Sequence, residues 1–191
     1  MKRIFLPLAI IGMLLLSAAF LLGLMIPPLE NILDLERAAK QELSGKIDHH
    51  FWIAVGGMLF ATLVHGLVMT YFIGTGRWIE ETVTIYDLSP DLYVSSRRIK
   101  YRIIPLILGA FLLLVVAGSF GASVDPAAGV RYDGFAGLSG ATVHLLLAGA
   151  AVTFNAWVNF VEYVALDQNA TLIETIMGEV RRVREERGLP V

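Results

Sequence analysis

The chain contains four long apolar stretches, and the first of them, Ile4 to Ile26, carries no charged residue at all. The others run from about Phe51 to Ile73, from about Ile103 to Phe120 and from about Ala141 to Val161. An α-helix rises about 1.5 Å per residue, so roughly 20 apolar residues cross about 30 Å of hydrocarbon. Composition agrees. Hydrophobic residues make up 56% of the chain and charged residues 17%, against roughly 45–50% and about 25% in soluble domains. A chain of 191 residues has no core large enough to hold that surplus. The expected fold class is therefore all-α: an integral membrane four-helix bundle with helical extensions on the cytoplasmic side.

The same numbers exclude several function classes. A net charge of −2 is not that of a nucleic-acid-binding polycation. There are no cysteines, which removes disulfides, zinc thiolate centres, iron–sulfur clusters and thiol nucleophiles. No HExxH, Ser-His-Asp arrangement or paired catalytic carboxylate is visible. No catalytic residue and no metal site is therefore assigned, and an enzyme is the less favoured reading.

Met1-Lys2-Arg3 ahead of an apolar run resembles a signal peptide, with Ser17-Ala18-Ala19 as a cleavage site. The run continues to Ile26, which favours an uncleaved first helix. Basic residues then set the orientation. With the N-terminus inside, only Arg37, Lys40, Lys46 and Arg131 fall outside, and every other Lys and Arg falls inside. Both termini are expected to be cytoplasmic, in a bacterial inner membrane. Residues 1–166 form the expected four-span domain and 167–191 a cytoplasmic helix. Leu29 to Leu43 reads as a short amphipathic helix on the outer surface. Asp87-Leu88-Ser89-Pro90 breaks the helix between spans two and three, with Ser89 as a natural N-cap. Gly121 to Gly140 reads as a loop.

Polar residues at membrane depth are costly and are read first as functional. They concentrate on spans two and four. At about 100° per residue, Asn155 lies about 20° from His144, Asn159 about 60° and Glu162 about 0°, so these residues share one face. His65 is about 14 residues into span two and Asn155 about 14 into span four, which puts them at one level. His65, Asn155, Asn159 and Glu162 thus form a predicted polar core, with Arg77 and Glu162 as the expected ion pair. Tyr71, Thr75, Arg77, Trp78 and Tyr163 gather near the inner boundary and could line a ligand pocket.

His50, His65 and His144 are the candidate ligands for a b-type haem. Axial nitrogens must sit about 4 Å apart across one iron, twice a metal–imidazole bond of about 2 Å. Counted along the helices, His65 and His144 miss one another by roughly 15 Å, and His50 and His144 by roughly 8 Å, a gap that helix tilt could close. The spacing therefore favours a structural polar core. The expected function is a non-catalytic membrane subunit that packs in or anchors a larger complex. Its expected partners are the lipid bilayer and other membrane subunits or further copies of itself, with no nucleic acid. The alternative is a membrane electron-transfer protein that binds haem b or quinone. A third reading is a small oligomeric transporter with Glu162 as its coupling carboxylate.

Overall fold

The computed structural model describes residues 1–27, 36–125, 129 and 132–190. The described chain is helical apart from one small hairpin. Helix α1 covers Lys2–Leu24, α2 Arg37–Tyr86, α3 Pro90–Val124 and α4 Gly140–Glu186. All four are long and apolar enough to cross a membrane.

Sequence chemistry explains the boundaries. Helix α2 ends at Asp87, which takes a left-handed conformation (φ 54°), and Leu88 N–H closes the end by bonding the Val83 carbonyl at 3.0 Å. Ser89 then caps α3 by accepting from the Asp91 N–H, with Pro90 in the first helical turn. This is the break that the Asp87–Pro90 segment predicts. Between α3 and α4, strands β1 (Gly134–Phe135) and β2 (Leu138–Ser139) pair antiparallel, Gly134 opposite Ser139 and Phe135 opposite Leu138. Ala136 and Gly137 both have positive φ, as a two-residue hairpin turn requires. Any side chain at Gly134 would collide with the Leu138 carbonyl.

The loop expected over residues 121–140 is therefore shorter than the sequence indicates. Helix α3 runs on to Val124, and the hairpin leads directly into α4. The amphipathic helix expected over residues 29–43 is only partly described, because residues 28–35 lie outside the described residues. From Arg37 onward that stretch is the beginning of α2 itself. No Pro lies between it and span two, and the helix runs through the single glycine there, Gly45. The segment after residue 166 is likewise the unbroken continuation of α4.

The helices pack as an up-and-down ring: α1 lies beside α2 and α4, and α3 beside α2 and α4, with α2 and α4 on the diagonal. The middle of the core holds Phe5, Val64, Val68, Phe72, Ile103, Ile107 and Val158. Toward one end it narrows to Leu16, Ala61, Leu114, Ala117 and Ala151. Gly57 lets α2 approach α1 closely, since a Cβ there would lie 3.3 Å from the Leu15 backbone. Beyond the start of α1, the other three helices continue together around Ile79, Val83, Leu88, Ile176 and Val180. The outside of the ring is apolar. Leu14, Leu59, Leu63, Leu112 and Phe160 are each at least 60% exposed. Such a surface is unusual on a molecule surrounded by water.

Candidate functional sites

Helix α4 buries one seam, and three polar residues seven apart lie on it: Asn155, Glu162 and Asn169 are each 0% exposed. A seven-residue step returns a helix to nearly the same face, so these side chains form a column. The column meets α2 across the diagonal of the ring. His65, 2% exposed, reaches both partners at once. Its Nδ1 lies 3.0 Å from each carboxylate oxygen of Glu162, and its Nε2 lies 3.0 Å from Asn155 Oδ1. The Asn155 amide is oriented by its own backbone, because Nδ2 donates to the Ala151 carbonyl at 2.8 Å. Its oxygen is thereby left to accept from His65.

The proton count follows from this geometry. One proton on Nε2 points to Asn155, and a second lies between Nδ1 and Glu162. The His65–Glu162 pair then carries no net charge, whichever of the two holds that second proton. A lone charge buried this completely would cost several kcal/mol, on the order of 3 or more. Pairing a carboxylate with an imidazole on facing helices avoids that cost.

Two turns further along α4, Asn169 Nδ2 donates to Tyr71 Oη at 3.1 Å and to Thr75 Oγ1 at 3.3 Å. Asn169 Oδ1 is the buried polar side-chain atom that has no partner among the described residues. Sequence reasoning missed Asn169 because it stopped counting at the end of the apolar run. The signal was present, since Asn169 lies seven residues after Glu162, about −20° around the helix.

Several expected groupings do not form. Arg77 does not reach Glu162. It is exposed and pairs with Glu81 one turn along its own helix, Nε to Oε1 at 3.0 Å. The two are not even level: Glu162 meets His65, and Arg77 lies 12 residues, about 18 Å, further along α2. Asn159 is half-buried at the edge of the α4 face, outside the His65 network. The inner group also divides. Tyr71 and Thr75 turn inward to Asn169, Trp78 is 36% exposed, and Tyr163 sits under the Lys2 ammonium, 5.0 Å from the ring centre. Lys2 itself pairs with Asp167.

At the other end of the ring, His50 and His144 come together across the same diagonal. Their ring centres are 6.2 Å apart and their planes are inclined at 78°. The roughly 8 Å mismatch in level predicted from the sequence is absent. Hydropathy sets the boundary at Phe51, but α1 extends alongside α2 far enough to enclose His50. The two rings are seated in the same way. His50 Nδ1 donates to the Ala19 carbonyl at 2.9 Å, and His144 Nδ1 donates to the Ala117 carbonyl at 3.1 Å. Four residues after each of those carbonyls comes a glycine on which the ring rests. A Cβ at Gly23 would lie 3.1 Å from His50 Cε1, and one at Gly121 would lie 2.8 Å from His144 Cε1. With Nδ1–H committed to a carbonyl, each Nε2 carries a lone pair, and neither has a hydrogen-bond partner among the described residues. His49 is turned away and bonds the Gly45 carbonyl. Among the described residues no group of three or more His, Cys, Asp or Glu side chains could hold a metal ion. In comparisons with known protein families, curated proteins and solved structures, nothing matches this chain.

Proposed function

We propose that this protein is an integral membrane electron-transfer protein that holds a b-type haem between His50 and His144. The membrane part rests on four helices of sufficient length and apolarity and on the apolar outer surface of the ring. The placement of basic residues supports both termini on the cytoplasmic side of a bacterial inner membrane.

The observation that carries the haem is the histidine pair. Two imidazoles ligating one iron from opposite faces have ring centres about 6 Å apart: about 2 Å of metal–nitrogen bond on each side plus the half-width of each ring. The observed separation is 6.2 Å. A ligating histidine characteristically donates its other ring N–H to a carbonyl or carboxylate, which fixes the tautomer and aims the free nitrogen. Both rings do this. Gly23 and Gly121 supply the space that lets them sit against the neighbouring helices. Bound there, the group would supply reversible one-electron chemistry, and the chain would supply the two ligands and an apolar surround. His65 is unsuited to the role, since both its nitrogens are engaged.

The test is an absorption spectrum of the protein purified after expression with haem precursor, and again after incubation with hemin. The proposal expects a Soret band with the low-spin signature of two imidazoles, lost in both His50→Ala and His144→Ala and kept in His65→Phe. A colourless protein under both conditions would overturn it. Such a protein would act as a membrane subunit passing electrons to a partner, which keeps the anchoring role within this reading.

A further inference from the structure

Between α3 and α4, just past the start of α1, lies an open groove of about 380 Å³. Its walls include Ser95, Arg98 and Gln168, and its floor includes Ile99 and Leu172. The donors in it point one way chemically. Arg102 Nη2 donates to Gln168 Oε1 at 2.9 Å, which leaves the Gln168 NH₂ free to donate. Arg98 has no acidic or aromatic partner among the described residues, whereas its neighbour Arg97 lies over the Tyr93 and Tyr101 rings. The Thr171 and Thr175 hydroxyls give their protons to backbone carbonyls of their own helix. No carboxylate lines the groove. It therefore offers the Arg98 guanidinium, the Gln168 NH₂ and the Ser95 hydroxyl beside apolar Ile99 and Leu172, with Arg102 held next to it through Gln168, a pattern suited to a phosphate with hydrocarbon attached.

Its height in the molecule selects the source of that phosphate. Asp167, next to Gln168, pairs with Lys2 at the first turn of α1. Helix α1 has 23 residues, about 34 Å at 1.5 Å each, close to the hydrocarbon thickness. Gln168 then stands where the hydrocarbon ends. Arg98 stands about one turn of α3 beyond Arg102, in the headgroup layer. We propose that this groove binds the headgroup of one anionic phospholipid from the cytoplasmic leaflet, clamped between α3 and α4. The inference rests on the membrane reading and is independent of the haem.

The experiment reconstitutes the full chain into bilayers of phosphatidylcholine with a minor share of phosphatidylglycerol. Gentle detergent release follows, and native mass spectrometry counts the retained lipids. The proposal expects one phosphatidylglycerol retained in preference to phosphatidylcholine. Each basic side chain near a charged membrane surface contributes about fivefold in affinity, so Arg98→Ala should cut the preference about fivefold and Arg98→Ala with Arg102→Ala more. Ser95→Trp, which fills the groove and leaves every charge in place, should remove the retained lipid as well. Equal retention in all variants would overturn the proposal. Displacement of the lipid by millimolar inorganic phosphate would also overturn it, in favour of a site for a free anion. Failure to enter the bilayer at all would instead refute the membrane reading.

Discussion

The middle and the far end of the α2–α4 diagonal treat histidine in opposite ways. In the middle of the ring, His65 is saturated: a carboxylate takes one nitrogen and an amide oxygen takes the other. At the far end, His50 and His144 are each held by one nitrogen only, through a backbone carbonyl, and the other is left unengaged. Burial alone would have ranked His65 first, at 2% exposure against two partly buried rings. The comparison shows that burial marks a polar group whose needs must be met, whereas an unmet lone pair on an oriented ring marks a group available for something else.

This contrast can be broken by experiment. The largest effect is expected at the end pair. Alanine at His50 or His144 should abolish haem retention outright, read as loss of the Soret band. Thermal stability of the haem-free protein should change little, because each ring makes one hydrogen bond. If either variant keeps the band, the two sites are not different in the way described. Next comes Glu162→Leu, which strands His65 against a single partner. Removing one member of a buried pair costs about 3–5 kcal/mol, so the unfolding midpoint in detergent should fall sharply. A shift within error would show that the pair is not buried in the membrane. Asn155→Leu is milder. It removes one acceptor from His65 and should cost about 1–2 kcal/mol. Smallest is Asn169→Leu. The Asn169 oxygen is already unpartnered, so the loss of two long hydrogen bonds is partly offset, and a change below about 1 kcal/mol is expected. A larger loss would mean that this oxygen has a partner in the membrane, such as a bound water.

Much of this was legible in the sequence. Four apolar runs announce four helices, and the arithmetic of the α4 face groups Asn155 with Glu162. The level count puts His65 beside Asn155, and the two side chains bond. Legibility failed where it depended on where helices end relative to one another. His50 was assigned to the outer boundary, because the hydropathy of α2 says nothing about how far α1 runs alongside it. Asn169 was overlooked because the polar column outlasts the apolar run that drew attention to it. The Arg77–Glu162 pair fails on height, because the length of the apolar runs does not fix how α2 and α4 slide past one another, and Glu162 falls level with His65. Small distances such as the 6.2 Å between two rings depend on packing that no single helix encodes.

The matched seats of His50 and His144 bear on how the molecule comes to be built. Each imidazole rests on the helix that precedes it in the chain: His50 on Ala19 and Gly23, His144 on Ala117 and Gly121. Each helical pair thus holds its own half of the arrangement within itself, and the contact between the two pairs sets only the gap between the rings.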